Sequence, residues 1–207
     1  QDLSISGCDL PLRLAAGAVS SLPTTGLSLT GNTTDAIAID GGGEVSASGA
    51  WVDAGVPYWV IDDIEVNGTA ESPVVLTVGP GVSLLFDNDA GIFVGQDGAA
   101  GFRVEGTADN VVTMMPWSAN VPGAWAGIGI YDAVVDSEVV LAHASIGFAG
   151  GSSLKGNVHV VDASPAFDTV TLHDGLEWGL YLNGDALPTL SDVAYANNGS
   201  GECNACP

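Results

Sequence analysis

Short strands with one apolar side recur along the chain. A glycine is followed by two apolar residues, two positions apart, in the segments Gly26–Thr30, Gly91–Gly95, Gly127–Tyr131 and Gly179–Asn183. Residues at positions i and i+2 point to the same side of a β-strand. A strand this short cannot bury its apolar side alone, whereas stacked copies can, so the pattern predicts a solenoid of β-coils.

The C-terminal third repeats at a nearly constant interval. The set Phe167, Val170 and Leu172 matches Leu190, Val193 and Tyr195 at an offset of 23 residues, as Pro165 matches Pro188. Leu141, Ala144 and Ile146 match the first set at an offset of 26 residues. This interval fits one coil of three short strands and three bends. We therefore expect Val170 and Leu172 to face inward and to stack on Val193 and Tyr195.

The middle of the chain predicts five short apolar strands in close succession. They are Val74–Val78, Val82–Phe86, Gly91–Gly95, Phe102–Glu105 and Val111–Met115. Turn residues such as Gly79-Pro80-Gly81 separate them. An antiparallel β-sandwich is the rival interpretation, but the fixed offsets favour the solenoid. We expect one domain over residues 1–200, with less regular coils in 1–50, and a cysteine-containing tail over 201–207.

Composition and charge narrow the classes of function. The chain has 207 residues, of which 29 are glycine, and glycine disfavours long helices. It carries 25 acidic residues against three basic ones, and the net charge is −22. Such a charge repels nucleic acid and anionic lipid. The longest uncharged stretch, residues 14–34, contains proline and many hydroxyls, so no membrane span is expected.

Several segments resemble bacterial extracellular right-handed parallel β-helix repeat proteins. The segments are Trp51–Pro57, Tyr58–Val60, Ile64–Val66, Leu76–Val82, Glu105–Val111, Pro122–Ile128 and the coil starts at Ser164-Pro165 and Leu187-Pro188. The resemblance covers residues 50–200. It implies an all-β, right-handed parallel β-helix in an extracellular location. The motifs of that family specify coil geometry, so the resemblance implies no particular activity.

Two acidic clusters are candidate sites. Asp62-Asp63 followed by Glu65 is a cluster of three carboxylates, two of which could divide acid and base roles, although solvent-facing strand positions explain it more simply. Asp87 and Asp89, in Asp87-Asn88-Asp89, are weak candidates for a Ca²⁺ site, since Ca²⁺ takes oxygen ligands. We favour a turn rich in Asp and Asn there. No cofactor is expected beyond weakly bound Ca²⁺.

Other chemistry-bearing residues are scattered. His143, His159 and His173 show no metal-ligand spacing, and we expect surface histidines. Arg103 and Lys155 are the only bases in the repeats available to a polysaccharide lyase, and neither lies in a recognisable motif. The five tryptophans favour core positions over an exposed sugar-stacking platform. The carbohydrate-binding residues, if any, stay unassigned.

The three cysteines and the three glycosylation sequons are the remaining candidate sites of covalent modification. Cys8, Cys203 and Cys206 are disulfide candidates, and a stack of coils places Cys8 at the opposite end from the other two. The sequons begin at Asn32, Asn67 and Asn198 in turn-like contexts.

The sequence therefore predicts a non-enzymatic module. We expect a secreted structural or cell-surface β-helix that associates end to end with other copies, because the outer strands of a solenoid expose unpaired edges. We see no amphipathic helix at either terminus to cover them. In that arrangement a disulfide between Cys8 and the tail of the next subunit would use the odd thiol. The alternative is a β-helix that binds or processes carbohydrate.

Overall fold

The protein is a parallel β-solenoid of about eight coils, as predicted. The computed structural model describes residues 2–23, 25–40 and 43–206, so the predicted domain and tail bounds at 1 and 207 lie outside the described residues. The strands and one 3-10 helix follow in chain order: β1 (Leu3–Ser4), β2 (Leu12–Ala15), helix η1 (Ala16–Ser21), β3 (Leu27–Ser28), β4 (Ile37–Asp40), β5 (Gly43–Val45), β6 (Gly49–Trp51), β7 (Tyr58–Val60), β8 (Ile64–Val66), β9 (Val74–Val78), β10 (Ser83–Phe86), β11 (Gly91–Val94), β12 (Ala100–Glu105), β13 (Val112–Pro116), β14 (Gly127–Ile130), β15 (Val134–Gly147), β16 (Gly156–Val161), β17 (Ala166–His173), β18 (Trp178–Asn183), β19 (Thr189–Ser191), β20 (Ala194–Ala196) and β21 (Gly201–Cys203).

The strands stack into three faces. Face 1 contains β6, β9, β12, the first part of β15 and of β17, and β19. Face 2 contains β2, β4, β7, β10, β13, the second part of β15 and of β17, and β20. Face 3 contains β5, β8, β11, β14, β16, β18 and β21. A separate pair, β1 and β3, is also parallel.

The pairing predicted for the C-terminal third is confirmed. Leu141 pairs with Phe167 and Phe167 with Leu190. Leu172 pairs with Tyr195, and Val170 and Leu172 are buried while Thr171 between them is partly exposed. The five strands predicted in the middle correspond to β9 through β13. Alternation with a period of two residues therefore places one side of each strand in the core.

Coil length varies more than the sequence offsets indicate. Phe102 of β12 pairs with Val139 of β15, 37 residues later, because residues 117–126 make an excursion between β13 and β14 and because the register shifts between Val134 and Val139 of β15. The excursion returns Trp125 to the core, where it stacks on Phe86 at 4.1 Å between ring centroids.

Single left-handed residues make the corners of the C-terminal coils. His143, Thr169 and Asp192 have φ of 47°, 56° and 50°, and they occupy successive coils between face 1 and face 2. Phe148, Asp174 and Asn197, with φ of 64°, 51° and 54°, turn the chain off face 2. Asp and Asn tolerate this conformation better than most residues. One-residue corners keep the coils short, which explains the constant offset there.

The last strand alters the predicted boundary of the tail. β21 pairs with β18, so the solenoid includes residues 201–203 and the tail begins after Cys203. At the other end, η1 lies against β5, with Ala16 and Val19 buried. A short 3-10 helix therefore covers the outer edge of face 3, where the sequence had indicated no helix.

Candidate functional site

An open cavity lies at the C-terminal end of the solenoid. It has a volume of about 440 Å³ and is lined by Leu190, Val193, Tyr195, Glu202 and the segment Cys203–Cys206. The three apolar residues continue the inward-facing ladders of the core, yet each is only partly buried. Among the described residues, no further coil covers the core residues that line this cavity.

A disulfide closes the turn at the rim of this cavity. Cys203 and Cys206 are bonded, and the Tyr195 hydroxyl lies 3.7 Å from Cys206 Sγ. The Asn204 side chain ties the turn to β18 by accepting from Leu182 N–H and donating to Leu182 O. Cys8, at the opposite end, is exposed and free. The predicted disulfide between Cys8 and the tail of another subunit therefore has no free partner thiol in the tail.

The N-terminal end is covered more completely. Helix η1 packs on face 3, while β2 is the outermost strand of face 2 among the described residues. Leu12 and Leu14 of β2 point inward and are half-buried, and Arg13 between them is exposed and bound to Asp40. Within the described ranges, face 2 thus ends in a strand that pairs on one side only, β2 at one end and β20 at the other.

The acidic candidates converge at one corner in successive coils. Asp63 accepts a hydrogen bond from Gly91 N–H at 2.9 Å. Burial raises the pKa of the Asp63 carboxyl, and the nearby charges of Asp62, Glu65 and Asp89 raise it further. In the described ranges, no group of three His, Cys, Asp or Glu side chains is placed to hold a metal ion. Asp63 therefore links two successive coils through its hydrogen bond to Gly91, in a corner where several carboxylates lie close together. Ca²⁺ binding by Asp87 and Asp89 stays a prediction.

The tryptophans divide between the core and the outside. Trp51 and Trp125 are buried in the core, as predicted. Trp59 and Trp117 are only partly buried, and their rings stack at 4.6 Å with an interplanar angle of 13°. On the outside of face 2, Trp59 lies beside Leu85 of the next coil, and Leu85 lies beside Met115 of the coil after that. An apolar strip with a stacked aromatic pair therefore lies on the outside of face 2.

A Ser–His–Asp cluster lies further along the same face. Ser145 Oγ is 3.1 Å from His173 Nε2, and His173 Nδ1 is 2.8 Å from Asp174 Oδ2. No local sequence motif joins these three residues, and His173 taken alone predicts only a surface histidine. The 26-residue offset does indicate that Ser145 and His173 lie close together, because it aligns Ser145 with Thr171 and Gly147 with His173 on neighbouring strands.

The other histidines and the basic residues are separated from this cluster. His143 lies at the corner between faces 1 and 2. His159 lies on face 3, edge-on to Tyr181, and burial and then the nearby charge of Lys155 lower its pKa. Arg103, on face 1, is paired with Glu105 and Glu138. The structure thus brings no basic residue next to His173 in the described part of the chain.

All three sequon asparagines have structural contacts. Asn32 Nδ2 donates to Ile5 O and Leu29 O. Asn67 is almost fully buried, and its Oδ1 accepts from Asp97 N–H. Asn198 Nδ2 donates to Leu172 O, while its Oδ1 accepts from Gly175 N–H. These side chains join successive coils.

Comparisons of the chain with protein-family models, curated proteins and solved structures find no match. The resemblance to β-helix repeat proteins therefore remains one of coil motifs and fold. No helix in the described residues is long and apolar enough to cross a membrane.

Proposed function

We propose that the chain is an extracellular structural module whose copies join end to end, the C-terminal coil of one on the N-terminal coil of the next. The observation that supports this is the open C-terminal end, where Leu190, Val193 and Tyr195 continue the core but lack a covering coil. An uncovered apolar end with a free strand edge favours pairing with another chain.

The two ends match through face 2. β20 is the last strand of this face and β2 its first, so a copy placed on the end extends one continuous parallel stack. The half-buried Leu12 and Leu14 of the second copy then meet Val193 and Tyr195 of the first. Helix η1 occupies the edge of face 3, so strand pairing across the junction uses face 2.

Charge sets the conditions for this association. The net charge of −22 makes the copies repel one another at low ionic strength. Added salt shortens the range of that repulsion, to about 10 Å at 0.1 M, and apolar contact at the ends is not weakened by it. Association is therefore expected to strengthen as NaCl or Ca²⁺ is added.

Light scattering and negative-stain microscopy of the purified protein, from low to high NaCl, test the proposal. We expect linear chains of copies that grow with salt and concentration, and their loss in Val193→Glu. Val121→Glu, at a 54% exposed residue of the 117–126 excursion, is the control and should assemble normally. Cys8→Ser should also assemble, since the tail cysteines are bonded to each other. Monomers at every salt concentration would overturn the proposal.

A second candidate function is carbohydrate binding, which the Trp59–Trp117 pair favours. Aromatic faces stack on the apolar faces of sugar rings. Titration with neutral polysaccharides, followed by tryptophan fluorescence, should show a change that Trp117→Ala abolishes. An unchanged spectrum with every polysaccharide would exclude this candidate.

A further inference from the structure

We propose that Ser145, His173 and Asp174 form a nucleophilic site on the outside of face 2 that hydrolyses short-chain esters of uncharged alcohols. This goes beyond the structural role and departs from the non-enzymatic prediction. The site combines a hydroxyl, an imidazole and a carboxylate from two adjacent coils, each within hydrogen-bond distance of the next.

The hydrogen bonds fix the tautomer that a general base requires. The Asp174 carboxylate only accepts, so His173 Nδ1 carries the proton and donates it over 2.8 Å. His173 Nε2 then has its lone pair directed at Ser145 Oγ, 3.1 Å away, and accepts from the hydroxyl. A base held by a third group next to a hydroxyl is the arrangement that activates a serine nucleophile.

The imidazole is held in place by its surroundings. Gly147 lies beneath it, and a Cβ at that position would overlap the ring. The ring of Phe148 meets it edge-on at 5.6 Å. The backbone on both sides is tied to the core, because Trp125 Nε1 donates to Gly147 O and Asn157 Nδ2 donates to His173 O. Such support keeps a catalytic group in one geometry.

The face remains open to a substrate and offers hydroxyls around the reacting carbon. The His173 side chain is 16% exposed, and Ser145 is partly exposed. Thr113 and Thr171 are the register partners of Ser145 on the two neighbouring strands, about 4.8 Å away. Their hydroxyls are the donors available to the oxyanion that forms on the substrate carbonyl. A flat face favours a small acyl group, and the negative surface disfavours anionic esters.

The reaction has two balanced steps. Ser145 Oγ attacks the ester carbonyl, His173 Nε2 takes the hydroxyl proton and passes it to the leaving alkoxide, and the alcohol departs from an acyl-serine. Water then attacks the acyl-serine while His173 Nε2 takes its proton and returns it to Ser145 Oγ. The products are the carboxylic acid and the alcohol. Asp174 acts through His173 and is a positioning residue.

Labelling of the intact protein with a fluorophosphonate, followed by peptide mass spectrometry, tests the site directly. We expect the adduct on Ser145 and not on Ser83, an outward serine in the same ladder. Hydrolysis of p-nitrophenyl acetate should fall by about 100-fold or more in Ser145→Ala and His173→Gln. Ser83→Ala should keep the wild-type rate.

The role of Asp174 has its own readout. Asp174→Asn should lower the rate and move the pH profile, since the carboxylate no longer stabilises the protonated imidazole. Circular dichroism and melting curves confirm that each variant is folded. Labelling of wild-type protein at several serines alike, or hydrolysis that persists in folded Ser145→Ala, would overturn the proposal. The labelled position in the wild-type protein decides the matter even where a variant does not fold.

Discussion

The interior and the end of one ladder behave differently although their residues are alike. Leu141, Phe167 and Leu190 occupy successive rungs on face 1, yet Phe167 is 1% exposed whereas Leu190 is only partly buried. An inner rung is covered by coils on both sides, and the last rung by one. Contact with neighbouring coils therefore decides how deeply a residue is buried, and we expect the same substitution to cost more in the interior than at the end.

The largest expected effect comes from a charge inside an inner coil. Val170→Asp should destabilise the protein by about 4 kcal/mol or more, because it buries an unpaired carboxylate in the core. Thr171→Asp, on the outside of the same strand, should change stability little. Urea unfolding followed by circular dichroism measures both. Equal losses in the two variants would contradict the observed alternation.

Truncation along the ladder compares its two positions directly. Phe167→Ala should cost about 3–5 kcal/mol, as for large core residues. Leu190→Ala should cost less, about 1–2 kcal/mol in the monomer, because Leu190 is only partly buried and part of its apolar surface is already in water. Under conditions of end-to-end association the second cost should grow. Melting curves at low and high salt test this. If Leu190→Ala lowers the Tm equally under both conditions, a second copy does not cover the C-terminal coil at high salt.

The one-residue corners offer a stabilising change in the interior. Thr169 has a φ of 56°, a conformation that β-branched residues rarely adopt. Thr169→Asn should raise stability by about 1 kcal/mol, because Asn tolerates this region. Thr171→Asn, at an ordinary strand position, is the control and should not stabilise. Chemical denaturation distinguishes the two variants.

The smallest effect is expected at the acidic corner. The raised pKa of Asp63 means that the folded state binds its proton more tightly than the unfolded state does, so ionisation at neutral pH destabilises the fold. Asp63→Asn keeps an oxygen for Gly91 N–H and removes the charge. Its Tm should rise by about 1 °C at pH 7, since a partly solvated charge is screened.

The same variant also tests how cations stabilise the protein. The gain from Asp63→Asn should disappear in acid below the normal carboxyl pKa, where Asp63 is protonated in both states. Millimolar Ca²⁺ should raise the Tm of the wild type more than that of the variant. A single tight Ca²⁺ site by calorimetry, lost in Asp87→Ala with Asp89→Ala, would instead indicate specific binding.

Sequence reasoning succeeded where corners are short and failed where the chain departs from its period. The 23- and 26-residue offsets gave the pairing of Phe167 with Leu190 and Leu141 because each C-terminal corner uses one residue. The same offsets did not predict the pairing of Phe102 with Val139. The alternation of apolar and polar residues does not indicate how long the excursion of residues 117–126 is before Trp125 returns to the core.

The candidate sites show a similar division. Inward residues are apolar and stand out in the sequence, whereas the outward ladder that joins Ser145, Thr171 and His173 has mixed chemistry and no period of its own. Its members become neighbours only when two coils are superimposed at the correct offset. The end cavity depends on which residues lack a covering coil, and this follows from the stack and not from any local motif.

Strictly parallel pairing between consecutive coils has a consequence for how the chain acquires its structure. Each new coil contacts mainly the coil that precedes it in the chain. A coil can therefore form its strand pairs without a segment that lies much later in the sequence. Closing the longest coil in place of a short one costs only a few tenths of a kcal/mol in chain entropy, because each doubling of loop length adds about 0.6 kcal/mol. As the ribosome releases residues from the N-terminus onward, coils can be deposited one on another in the order of translation. Among the described coils, the one that holds β2 and helix η1 would then act as a template for the coils that stack on it.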